Sequence, residues 1–131
     1  MPSPSCWWLG ITHMESRNIN RSRPERPADL LVNVTLIKAV AGNPQTHFWQ
    51  GCRFPNDFGL NGELNDGQFE FSEAPPDPGE TASAELWLLS PDRNFGRLYE
   101  GFEFTIWHGY NVATGKIIKV LNKLLSRDAV A

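Results

Sequence analysis

The heptapeptide APPDPGE, residues 74–80, limits what this chain can fold into more tightly than any other stretch. Its prolines cannot donate to a helix or a strand ladder, so no regular element runs through it. The segments on either side are therefore separate elements. QFEFSE before it alternates through Phe69 and Phe71, and TASAELWLLS after it reads as a strand. The same punctuation recurs along the chain. LLVNVTLIKAV sets Leu30, Val32, Val34 and Leu36 against Leu31, Asn33, Thr35 and Ile37, and its β-branched content favours a strand that GNPQ then breaks. THFWQGCRF is expected to be a short aromatic strand. PNDFGLNGELNDG reads as turn-rich, with room for one brief strand around residues 60–64, PDRNFGRLYEG as a loop, and FEFTIWHG as a strand. Short strands at this spacing, divided by Gly and Pro turns, predict an all-β closed barrel or sandwich and not an alternating βα fold.

The last segment, HGYNVATGKIIKVL, is ambiguous. Ile117, Val120, Leu121, Leu124 and Leu125 fit a helical period, whereas Val112, Thr114, Lys116, Ile118 and Val120 share one face of a strand preceded by a turn at HGYN. A helix here would also invite a phosphate-loop reading through Gly109, Gly115 and Lys116. That motif needs four residues between its glycines and a hydroxyl after the lysine. Here five intervene, and Ile117 has no oxygen to offer a metal.

Composition narrows the function classes. The chain of 131 residues is 40% hydrophobic, enough for one core without disulfides or metal. Its formal charge is −3, unevenly spread. Residues 1–29 set four arginines against three carboxylates, so the remainder carries −4. An acidic folded part argues against a strongly electrostatic nucleic-acid binder. Residues 1–29 mix Pro, Ser, Asn and Arg without a period and read as a flexible arm or leader, with Met14 an alternative start to Met1. Residues 30–125 form the expected domain and 126–131 a tail. Cys6 and Cys52 lie in unlike contexts and predict no disulfide. No apolar run reaches membrane-span length, and CWWLGI lacks the basic start of a secretion signal, so a cytoplasmic protein is expected.

No catalytic constellation stands out. His47, His108 and Cys52 lack the paired spacing of metal ligands, and are expected as a barrel-face residue, a turn residue and an apolar-segment thiol. Asp57, Glu63, Asp66, Glu70 and Glu73 fall in turns and on alternating strand positions, where a solvated face explains them. The tryptophans Trp49, Trp87 and Trp107 are expected to fill the core for the most part, with Trp107 and Tyr110 flanking a turn where an aromatic can anchor a partner.

The order of motifs over residues 30–122 resembles the C-terminal, third β-barrel domain of elongation factor Tu. That family has a strand, a Gly-rich turn and a Thr-x-Phe-aromatic-x-Gly-x-Arg segment, matched by Thr46, Phe48, Trp49, Gly51 and Arg53. A Pro-Gly-acidic turn before a long strand is matched by Pro78, Gly79 and Glu80. A Phe-x-Ile strand, a Gly-containing hairpin and a Gly-apolar strand are matched by Phe104, Ile106, Gly109, Gly115, Ile117 and Ile118. The resemblance implies a closed antiparallel barrel of about six strands. In it HGYN is a strand-to-strand turn, the last segment is a strand, and Gly115 marks a bend or close-packing site. In the full factor this barrel helps hold the T-stem of aminoacyl-tRNA and contacts the exchange factor and the GTPase domain. The chain departs from the family where that factor has an Arg-His pair, here Pro44 and Gln45, at a Glu-Gly-Gly hairpin, here His108, Gly109 and Tyr110, and at a loop lysine, here Ser90.

The expectation is thus a stand-alone, non-enzymatic binding module without cofactor or metal. A protein partner, linked to translation, would meet Trp107, His108 and Tyr110 or the loop bearing Arg93 and Arg97. The alternative is an RNA or tRNA binder using the basic arm with Arg53, Arg93 and Arg97.

Overall fold

The computed structural model describes residues 23–130. Most of the stretch read as an arm, with Cys6, Trp7, Trp8 and Met14, lies outside the described residues. Six strands, β1 (Leu30–Leu36), β2 (Arg53–Leu60), β3 (Glu63–Phe71), β4 (Thr81–Leu88), β5 (Glu103–Trp107) and β6 (Asn111–Val120), close into an antiparallel barrel in the order β1-β4-β3-β2-β5-β6. Closure leaves no sheet edge.

Alternation fills the interior. Leu30, Val32, Val34 and Leu36 of β1 point inward with Phe69, Leu86, Ile106 and Ile117, all buried. The disputed final segment is strand β6. A bulge sets Leu31 against Lys119 but Val32 against Ile117, so Ile118 is the extra residue. For that reason the face expected from the even positions does not hold along its length: Thr114, Lys116 and Ile118 are exposed, whereas Val120, beyond the bulge, packs against the core.

Two expected boundaries move. THFWQGCRF is a strand only from Arg53 onward. The residues before it form a loop in which Gln50 substitutes for a ladder, accepting from the Phe71 N–H at 2.7 Å and donating to the Phe71 and Glu73 carbonyls at 3.0 Å. Phe48 from this loop plugs the barrel, its ring 4.8 Å from that of Phe54. PNDFGLNGELNDG does not hold one brief strand. It holds the β2–β3 hairpin, turned at Asn61 (φ 49°) and Gly62 (φ 76°), the paired positive angles of a type I′ turn.

The expected arm boundary at residue 29 also shifts. Asp29 is fully buried and Ala28 nearly so. The Asp29 carboxylate accepts two bonds from Arg26 at 3.0 Å, the Leu88 N–H at 2.7 Å and the Asn122 side-chain amide at 2.9 Å. Its backbone carbonyl takes the N–H groups of Leu121 and Asn122. The segments before β1 and after β6 are thereby clasped to one pole of the barrel, together with 3₁₀ turns at Pro91–Asn94 and Lys123–Leu125. The other pole carries residues 37–52, the loop 72–80 and the turn 108–110.

One seam is thin. β2 and β5 share two residue pairs, Asn56 with Ile106 and Asp57 with Thr105. The next pair on one side would set Pro55, which has no N–H, opposite Trp107. On the other side the Asp57 side chain takes the Gly59 N–H at 2.8 Å, and Arg97 donates to the Phe58 carbonyl at 3.3 Å, so side chains satisfy what a partner strand would have.

Candidate functional site

The six residues expected to bind a partner fall in three places. Trp107, His108 and Tyr110 form the β5–β6 hairpin at the pole of the 37–52 loop. The His108 N–H bonds the Tyr110 carbonyl at 2.9 Å, and the Tyr110 hydroxyl donates to the Pro44 carbonyl, tying hairpin to loop. The His108 ring stands edge-on to Phe54 at 5.5 Å, and Trp49 does the same at 5.9 Å. Trp107 and Tyr110 are half-buried and His108 is exposed.

Arg93 and Arg97 lie at the opposite pole. Arg93 pairs with Glu63 at 3.3 Å with both side chains well exposed, an arrangement of small energetic weight. Arg97 is turned inward. It donates to Asn94 Oδ1 at 2.5 Å, and Asn94, fully buried, donates to Asn65 Oδ1 at 2.8 Å. A surface cation was expected here, but the loop folds back and spends the guanidinium on buried acceptors. Arg53 lies on the wall, its Nε 3.3 Å from Gln68 Oε1.

The pole of the hairpin gains two residues that sequence reasoning missed. Trp49, expected to pack inward, is 59% exposed, and Val40 is 65% exposed. The rim therefore presents Trp49 beside the aromatic hairpin, with Ile37 and Val40 on the same loop. Adjacent Phe48 and Trp49 cannot both enter the core, and Phe48 does. Trp87 is buried, but on the outer face of β4 and not in the interior cluster: the segment before β1 covers it, with its indole N–H on the Arg26 carbonyl at 2.7 Å and the Arg23 guanidinium 5.2 Å from the ring centre. The opposite pole exposes Leu89, Phe95 and Leu124.

Cys52 is fully buried, and loss of solvation pushes its thiol up from 9.0 to about 11. At neutral pH it is a protonated core residue and not an activated nucleophile. His47 lies in the exposed loop and not on a barrel strand. Among the described residues no group of three or more His, Cys, Asp or Glu side chains is placed to hold a metal ion, and no helix is long and apolar enough to cross a membrane. Comparison of the sequence with protein-family models and with curated proteins gave no match.

Proposed function

We propose that this chain is a non-catalytic β-barrel binding module that meets a protein partner through the rim built from Trp49 and the β5–β6 hairpin. The observation that carries this reading is the 59% exposure of Trp49 on a loop whose geometry is fixed by the Tyr110–Pro44 bond and by the Phe54 contacts. A large aromatic held rigidly in water loses little conformational freedom on docking and removes much apolar surface. The motif order shared with the third domain of elongation factor Tu, together with a closed six-stranded barrel, supports a search for that partner in the cytoplasmic translation apparatus. An RNA or tRNA ligand is the less favoured reading, because Arg97 is committed internally and Arg93 is paired.

Three baits test this, each the full chain on a resin: the parent, Trp49→Ala with Trp107→Ala and Tyr110→Ala, and Phe95→Ala with Leu124→Ala. A protein retained by the parent and the third bait but lost by the second, with ribonuclease present, supports the rim. Retention by the second bait and loss by the third would move the contact to the other pole. Loss on ribonuclease treatment would favour the RNA reading.

A further inference from the structure

The tip of the β2–β3 hairpin holds the only residue other than glycine with a positive φ among the described residues, Asn61 at 49°, and Gly62 follows it. Turn preference accounts for the pair. The same two residues also set a side-chain amide and a main-chain nitrogen one five-membered ring closure apart, and the fold ties down neither. Both residues are exposed, and no hydrogen bond holds the Asn61 side chain or the Gly62 N–H among the described residues. A Cβ built on Gly62 would meet nothing within 4 Å, so no neighbour crowds its nitrogen. This is the one Asn-Gly pair in the sequence. Elsewhere Asn56, Asn65 and Asn94 are buried, and Asn43 precedes Pro44, whose nitrogen carries no hydrogen.

We propose that Asn61 is a modification site, where the chain deamidates itself without an enzyme. The Gly62 nitrogen attacks Asn61 Cγ. The new N–Cγ bond forms as the Cγ–Nδ2 bond breaks, and the Gly62 amide proton leaves with Nδ2 as ammonia. Water then opens the succinimide at either carbonyl and leaves aspartate or isoaspartate at position 61. No oxidant or reductant takes part. Closing the ring swings the Gly62 nitrogen toward the Asn61 Cβ, out of its place in a type I′ turn. The tip must therefore open first, and the folded chain reacts more slowly than a free peptide.

The two products differ in consequence. Aspartate tolerates the left-handed region and keeps the turn. Isoaspartate adds a main-chain methylene to a two-residue connection and disturbs the Leu60–Glu63 pair that closes it. Either product brings a carboxylate into the concavity that Asn61 shares with Glu63, Asp92 and Arg93, where Arg93 is paired with Glu63. The hairpin thus carries a one-way gain of negative charge at the clasped pole, away from the rim.

The test is intact-mass and peptide-map analysis of the full chain held at mildly alkaline pH, beside a synthetic GLNGEL peptide as a clock. The expected result is a gain of one mass unit that maps to residues 60–63, at a rate that rises with hydroxide concentration, together with a new and more acidic species on anion exchange. Asn61→Gly places Gly-Gly in the same turn, which suits a type I′ geometry, and should abolish the gain at an unchanged unfolding midpoint. No gain by the time the peptide is fully converted, a gain that maps only to other asparagines, or an equal gain in Asn61→Gly would each overturn the proposal.

Discussion

Asp29 holds more of the clasped pole than any other side chain described, since its carboxylate and carbonyl together join the segment before β1, the end of β4 and the segment after β6. Removing the carboxylate leaves the buried Leu88 N–H and the Asn122 amide without an acceptor, so Asp29→Ala should cost about 3 kcal/mol. Urea unfolding would register this as a lower midpoint with an unchanged slope. A change under about 0.5 kcal/mol, the range of ordinary surface substitutions, would show the clasp to be dispensable. Cys52 makes a prediction of the opposite kind, about silence. With Cys6→Ser in place, its thiol should resist Ellman's reagent in the native protein and react at once in urea. Because its folded value is raised, the thiol's contribution is complete below pH 9 and fades as pH rises toward 11. Between those limits the Cys6→Ser protein should lose about 2–3 kcal/mol more than its Cys52→Ala derivative. Equal losses would place Cys52 in contact with water.

At the scale of elements, the close approach of β5 and β6 depends on Gly115. A methyl group there would sit 2.2–2.6 Å from three atoms of the buried Phe104 ring. Gly115→Ala should therefore destabilise the barrel by about 1–3 kcal/mol, read as a fall in thermal midpoint. An unaffected midpoint would mean that the ring has room to move aside. The strands flanking Gly115 were legible in sequence only in part. β1, β4 and β5 show themselves through alternation of apolar and polar residues, and β3 through Phe69 and Phe71. β2 does not, because Pro55, Asn56, Asp57 and Gly59 all read as turn formers. Asn56 even points inward, where its amide donates to the carbonyls of Phe54 and Asn65. The Asn61-Gly62 pair was the available signal for the hairpin, and it outweighs the poor strand composition around it. The rim was half legible: Trp107, His108 and Tyr110 lie in a turn that the sequence marks with Gly109. The exposure of Trp49 follows from which of two adjacent aromatics a non-strand loop turns inward, and period-two patterning says nothing about that. The inward turn of Arg97 is equally hidden, since its acceptors Asn94 and Phe58 are brought to it only by the folded loop and the thin seam.

For the molecule as a whole, the poles differ in kind. One is fastened by the clasp around Asp29 and by buried amides, and the other offers aromatic surface on a braced loop. The rim hypothesis belongs to this scale because it predicts a one-sided partner: substitutions at Trp49, Trp107 and Tyr110 should abolish capture while those at Phe95 and Leu124 leave it intact. Ribonuclease and moderate salt should leave that pattern unchanged, as an apolar contact is screened little. The strand order has one more effect, on the time course of synthesis. β1 is made first among the strands yet pairs with β4 on one side and β6 on the other. A ribosome adds residues one at a time, so the β6-facing edge of the first strand waits until the last strand has been made. For that interval the nascent barrel is an open sheet with a hydrogen-bonding edge on display, and it closes only after β6 has been made.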